Sequence, residues 1–156
     1  MKAKKYLYVF VLGVLSLCTM VGCKSNEPET FMSNKERPVW TAPTVSDITT
    51  SMTAVVKVDL AAQYPDQAAG FVPDSTDILA AFSGESCLGI AKYDEEAKLF
   101  FLYIAGPTTN DKAVTLRYYA TRYKNLFEAP KAFTFKNDDR LGTTAEPFIP
   151  AFVVVK

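Results

Sequence analysis

Carboxylates are the first side chains to consider for catalysis in this sequence. Its 156 residues include no histidine, so the commonest base for activating a serine or cysteine nucleophile is missing. There is also no Gly-x-Ser-x-Gly motif, no phosphate-binding glycine loop and no zinc-ligand spacing. A pair of carboxylates can hydrolyse glycosides, and the candidates here are Asp77, Glu85, Asp94 and Glu95. All four fall at predicted strand ends or in turns, where carboxylates are usually solvated, and we predict that the protein is not an enzyme.

Acidic residues also cluster in predicted turns, an arrangement in which the loops of a β-sandwich can bind Ca²⁺. Calcium takes about six to eight oxygen ligands, and the candidates are Asp74, Asp77, Asp138 and Asp139. None of these clusters has the spacing of an EF-hand loop. The alternative is that their side chains bond their own backbone in turns. The sequence therefore predicts no required cofactor, with Ca²⁺ as the one candidate.

Aromatic side chains make up 13% of the chain and could form a sugar-binding surface. Exposed tryptophan and tyrosine rings stack on sugar rings, while neighbouring polar groups fix the orientation of the ligand. Trp40 lies at the entry of the predicted domain, and Tyr119 shares a predicted strand face with Thr115 and Arg117. Trp40, Tyr119 and Arg117 are therefore the predicted ligand-binding residues. The alternative is that these rings pack in the core or across strands.

The N-terminus has the pattern of a cleaved secretory signal. A basic start, residues 1–5, precedes an apolar run at 6–17, which is shorter than the roughly 20 residues of a membrane span. Gly22 before Cys23 resembles the bacterial lipobox, which predicts cleavage before Cys23 and lipidation of its thiol. Cys18 is the alternative, but the bulky Leu17 precedes it. Residues 1–22 are thus predicted to be a lipoprotein signal peptide.

Removing this signal changes the charge of the chain. Residues 1–22 carry three lysines and no acids, so a chain that starts at Cys23 has 134 residues and a net charge of −3 instead of 0. A negative charge argues against nucleic acid, which needs a basic face. With Cys23 lipidated, Cys87 has no disulfide partner. We expect it to be a small buried apolar residue.

Residues 23–38 are predicted to be the lipidated cysteine and a flexible tether, since the segment is polar and contains Pro28 and Pro38. Lys24, rather than an aspartate, follows Cys23, which favours the outer membrane. Glu27 and Glu29 weakly resemble the acidic signal that exports Bacteroidetes lipoproteins to the cell surface. The predicted location is the outer membrane, at the cell surface or on the periplasmic face.

From residue 39 to residue 156 the sequence predicts one all-β domain. Residues 51–60 alternate apolar and polar side chains, as in a half-buried strand. The runs at 77–82 and 87–93 lack this alternation and flank a turn, which predicts a central hairpin. For the same reason residues 99–105 are expected to form a buried strand. A brief helical turn fits the loop at 61–75. Seven to nine short strands favour an antiparallel, immunoglobulin-like β-sandwich.

The lipobox and several strand segments together carry a family resemblance. The segments are Ser51–Val56, Asp77–Phe82, Gly84–Ala91 and Phe100–Tyr103. They resemble immunoglobulin-like β-sandwich modules of secreted and surface proteins in gut Bacteroidetes, often lipoproteins of unknown function. The resemblance covers about residues 40–152. It implies a fold and a location, and it brings no catalytic residues. Related modules usually carry a basic residue between the cysteine and the glycine, where this chain has Leu88, so any role of that base does not carry over.

The sequence as a whole predicts a non-catalytic binding or adhesion module that is anchored in the outer-membrane lipid through Cys23. Its expected ligand is a glycan or a partner protein. The alternative is a structural subunit of a surface assembly without a small-molecule ligand. A structural subunit should expose an unpaired apolar edge strand, for which residues 148–155 are the candidate.

Overall fold

The structure is a computed structural model that describes residues 31–106 and 109–156. It contains one short helix, α1 (Leu60–Gln63), and two 3₁₀ turns at Val45–Asp47 and Thr121–Tyr123. The strands are β1 (Thr50–Val56), β2 (Ile78–Ser83), β3 (Ser86–Ile90), β4 (Lys92–Asp94), β5 (Leu99–Gly106), β6 (Ala113–Ala120), β7 (Asn125–Thr134), β8 (Arg140–Leu141) and β9 (Val153–Val154).

These strands form two sheets packed face to face. Sheet A has the strand order β4-β5-β1-β8, and sheet B has the order β3-β2-β6-β7-β9. Neighbouring strands are antiparallel except for β1 and β8, which are parallel. The prediction of an all-β sandwich with seven to nine strands is confirmed.

The alternation in β1 places one face of the strand in the core. Met52, Ala54 and Val56 are buried, whereas Thr53 is exposed. The strand ends at Val56, earlier than its predicted end at residue 60. Asp59 stops the extended chain, because its carboxylate accepts the N–H of Ala62 at 3.1 Å and caps α1.

The predicted central hairpin consists of β2 and β3, and only β2 is central in the pairing order. β3 pairs with β2 alone and lies at the edge of sheet B. Its buried face rests on the backbone of β5, where a Cβ at Gly89 would overlap the carbonyl oxygen of Tyr103. The chain continues through Ala91 into β4 of sheet A, so this segment joins the two sheets at one corner.

An extended N-terminal segment, residues 31–40, covers the outer face of sheet B; we call it the strap. Phe31 is buried against Tyr64, Tyr123 and Phe127. The backbone N–H groups of Ser33 and Lys35 donate to the carbonyls of Tyr123 and Lys124, each at 3.0 Å. The packed domain thus includes Phe31, eight residues before the predicted boundary at residue 39, because the ring of Phe31 fills a core site.

Candidate functional site

Asp77 and Asp94, two of the carboxylates considered for catalysis, bind groups of their own domain. Asp77 is buried and accepts hydrogen bonds from the Tyr118 hydroxyl and from the N–H of Thr121 at 2.8 Å. Burial raises the pKa of Asp77 despite these bonds. Asp94 caps its own turn, accepting the N–H groups of Glu96 at 3.0 Å and Ala97 at 2.8 Å.

The four acids predicted to bind calcium do not come together. The carboxylate of Asp77 accepts the N–H of Thr121, which directly follows the end of β6. The backbone N–H of Asn137, next to Asp138, donates at 2.7 Å to the side-chain oxygen of Asn110, which precedes the start of β6. The pairs Asp74/Asp77 and Asp138/Asp139 therefore lie at opposite ends of the sandwich, and their prediction as one site is wrong. Within residues 31–106 and 109–156, no three His, Cys, Asp or Glu side chains are placed to hold a metal ion.

Tyr119 and Trp40 are covered or packed rather than presented to a ligand. Tyr119 is only 4% exposed, because the strap crosses it and its hydroxyl donates to the carbonyl of Lys35 at 2.9 Å. The prediction of an exposed Tyr119 is therefore wrong. Trp40 is half-buried and packs edge-on against Phe82, with 5.4 Å between ring centroids.

Arg117 forms ion pairs with two carboxylates of its own domain. Its guanidinium makes two bonds to Glu85, at 3.1 and 2.9 Å, and one to Glu128 at 3.1 Å. It also lies over the ring of Phe82 at 4.3 Å. With two carboxylates and a ring as partners, Arg117 is a structural residue of the outer face of sheet B.

Cys87 is half-buried, and its thiol lies 3.8 Å from the carbonyl oxygen of Gly89. Burial raises the pKa of this thiol, which keeps it protonated and unreactive at neutral pH. The structure places Cys87 in β3 as a small partly buried side chain, close to the predicted role.

The outer face of sheet A carries an open groove with a volume of about 460 Å³. Its floor is β1, where Thr53 and Val55 point outward. Two aromatic rings of β5 line one side, with Phe101 37% and Tyr103 51% exposed. The opposite side is formed by Arg140 of β8, the other neighbour of β1, and by Gly142, Thr143 and Thr144 of the segment that follows β8.

Strand register fixes the arrangement of this groove. Tyr103 is paired with Thr53, and Thr53 is paired with Arg140, so these three residues form one row across β5, β1 and β8. Phe101 is paired with Val55 in the next row. The two rings are two residues apart on one strand face, about 7 Å. They form a continuous apolar strip beside hydroxyl groups and a guanidinium.

The turn after β8 holds its wall of the groove in place. Gly142 has a φ of 72°, and a Cβ there would lie 2.8 Å from the carbonyl oxygen of Val55. Only glycine lets the backbone approach β1 so closely in this conformation. The N–H of Glu146 then donates to the Thr143 hydroxyl at 3.0 Å, which closes the turn.

Phe101 and Tyr103 are the groove residues that the sequence interpretation missed. The run at 99–105 is apolar at every position, which is typical of a strand buried on both faces. Phe100, Leu102 and Ile104 do face the core, but the other face is only partly covered. The sequence signal for the groove was the spacing of two aromatic residues at positions i and i+2, which places both rings on one face of the strand. In the structure these residues pair with Val55 and Thr53.

The fold and the groove define an all-β sandwich domain with an aromatic strip on the outer face of one sheet. No protein-family model, curated protein or solved structure matches the chain. Cys23 and the predicted signal lie outside the described residues. Among the residues described, no helix is both long enough and apolar enough to cross a bilayer.

Proposed function

We propose that this protein is a lipid-anchored binding protein of the outer membrane and that its β-sandwich binds glycans in the groove of sheet A. The lipobox at Cys23 supports the anchor. The groove supports the ligand class, since it combines exposed rings with hydroxyl groups on a rigid sheet. The binding role is non-catalytic.

The observation that carries this proposal is the exposure of Phe101 and Tyr103. Folding leaves these two neighbouring rings half in solvent, although most aromatic rings of the domain are buried or packed on other rings. Adjacent exposed rings on one strand face suit the apolar faces of successive sugars in a chain. Thr53 and Arg140 stand beside them and can bond sugar hydroxyls.

A structural subunit, the alternative function, would use a free sheet edge to add a strand. Three of the four edge strands are short: β4 has three residues, and β8 and β9 have two each. The fourth, β3, has five residues, and its backbone at Gly89 lies against Tyr103 of β5. In the segment proposed for pairing, only Val153 and Val154 form a strand, and Pro150 precedes them. A two-residue edge strand that follows a proline disfavours strand addition at the proposed segment, so the groove is the better-supported site.

The immunoglobulin-like type of sandwich and the surface location belong to the same proposal. Two mainly antiparallel sheets joined by chain crossings support the first. Lys24 after Cys23, with Glu27 and Glu29, supports an outer-membrane and surface location.

The test is a binding screen of the full chain, purified in detergent, against immobilised neutral and acidic polysaccharides. Phe101→Ala and Tyr103→Ala should each weaken binding by tenfold or more, because each removes one stacking surface. Trp40→Ala is the matched control, since Trp40 is an aromatic residue outside the groove and should leave affinity unchanged. Binding that survives in both groove variants, or no binding to any polysaccharide, would refute the proposal.

A further inference from the structure

The described residues that line the groove include one positively charged side chain, which forms no ion pair in the described part of the chain. Arg140 is the one charged side chain among the described residues that line it. Its guanidinium has no ion pair within the described part of the chain. This distinguishes Arg140 from Arg117, which is held between two carboxylates on the other sheet.

The acids near Arg140 form no ion pair with its guanidinium in the described part of the chain. The carboxylate of Asp139 accepts the backbone N–H of Arg140 at 2.8 Å. Glu146 lies in the following turn and does not line the groove. A second exposed cation, Lys92 of β4, is paired with Phe101 on the far side of the aromatic strip. Both cations therefore flank the aromatic strip, and Arg140 is the charged side chain among the described residues that line the groove.

We propose that the groove selects acidic glycans, whose sugars carry a carboxylate or a sulfate; this inference rests on the proposed glycan-binding function. Across β5, β1 and β8, two strand spacings separate Tyr103 from Arg140 by about 10 Å. A sugar stacked at Tyr103 can thus lie over Thr53 and direct its acidic group at Arg140. The planar guanidinium binds such oxyanions through two parallel hydrogen bonds.

The negative net charge of the protein disfavours binding of an acidic glycan outside the groove. The chain from Cys23 onward has a net charge of −3, which repels a polyanion from most of the surface. Binding of an acidic glycan must therefore depend on the groove and its arginine rather than on a general attraction.

The test compares two matched pairs of probes with the full chain in detergent. The first pair is polygalacturonate and the same polymer after chemical reduction of its carboxyl groups. The second pair is dextran sulfate and dextran, which separates a sulfate preference from a carboxylate preference. We expect one acidic probe to bind about tenfold more tightly than its neutral partner at low salt, as charge-assisted hydrogen bonds predict.

Arg140→Gln should abolish this preference, and Arg140→Lys should restore only part of it, because an ammonium lacks the planar fork. Lys112→Gln, which removes one exposed charge outside the groove, should have no effect. Equal binding of acidic and neutral probes, with Tyr103→Ala still abolishing both, would overturn this inference and leave the glycan-binding function standing. Absence of binding to these four probes and to every polysaccharide of the binding screen would overturn both proposals.

Discussion

The carboxylate of Asp77 accepts a hydrogen bond from the hydroxyl of Tyr118, and both groups are shielded from solvent at the end of β6. Tyr118→Phe removes this donor and keeps the ring. We expect the free energy of unfolding to fall by about 1–3 kcal/mol, because the buried carboxyl group of Asp77 loses a hydrogen-bond partner. Urea denaturation at pH 7 measures it. A change below about 0.5 kcal/mol would show that the bond contributes nothing to stability.

The raised pKa of Asp77 predicts an unusual pH dependence of stability. Burial lifts this pKa above its ordinary value of 3.8, so the folded state binds a proton that the unfolded state has already released. The free energy of unfolding must then fall as the pH rises from about 4 through the folded-state pKa. Asp77→Asn lacks this titration, and the wild type should lose stability relative to it over that range. Parallel denaturant titrations from pH 4 to 8 give the comparison, and a difference that is constant or grows in favour of the wild type contradicts the assignment.

Gly89 is predicted to tolerate no side chain. Gly89→Ala would drive a methyl group into the carbonyl of Tyr103, and a backbone contact at the junction of two sheets has little room to move. We expect a loss of about 3 kcal/mol or more. Gly84→Ala is the control, because its position is open and only its φ of 60° is unfavourable, which costs about 1–2 kcal/mol. Equal losses in the two variants would mean that the corner can relax.

The strap should behave as part of the folded domain. Phe31→Ala empties a buried site between Tyr64, Tyr123 and Phe127. We expect the free energy of unfolding, measured by urea denaturation, to fall by about 3–5 kcal/mol.

Trp40 is the only tryptophan in the chain and lies at the end of the strap, so its fluorescence reports strap release. Fluorescence and circular dichroism should give the same unfolding curve in the wild type. An earlier fluorescence transition would show that the strap detaches on its own.

Lipidation at Cys23 can be tested by labelling cells with a fatty-acid analogue. Cys23→Ser should lose the label and leave the membrane fraction, because a thiol is needed for the diacylglycerol. Cys18→Ser is the control and should retain both the label and the membrane location. The opposite result would move the cleavage site to Cys18.

Local sequence patterns predicted the all-β class of the fold. The alternation in β1 and the apolar runs of β2 and β5 are properties of consecutive residues, so they can be read without knowing which distant segments pack together. They failed where distant segments decide exposure. Tyr119 shares its strand face with Thr115 and Arg117, a pattern typical of a solvated surface, yet the strap covers it. Phe101 and Tyr103 show the reverse case, in which an apolar pattern lacks a covering segment.

The candidate groove and the ligand-binding residues that the sequence interpretation named are different sets of residues. The sequence interpretation expected exposed rings beside hydroxyl groups and an arginine, and the groove has that composition. Its members are Phe101, Tyr103, Thr53 and Arg140 instead of Trp40, Tyr119 and Arg117. The row from Tyr103 through Thr53 to Arg140 depends on the pairing of three strands far apart in the chain, which one sequence does not reveal.

If Cys23 carries the proposed lipid anchor, the strap also limits how far the domain can lie from a bilayer. If the tether ran from Cys23 to residue 39, full extension would allow a reach of about 55 Å. Because Phe31 is already packed in the core, only seven residues, 24–30, lie between it and Cys23, and the distance from Cys23 to Phe31 can be at most about 30 Å. An anchored domain would therefore work close to the membrane surface, on polymers that lie against it.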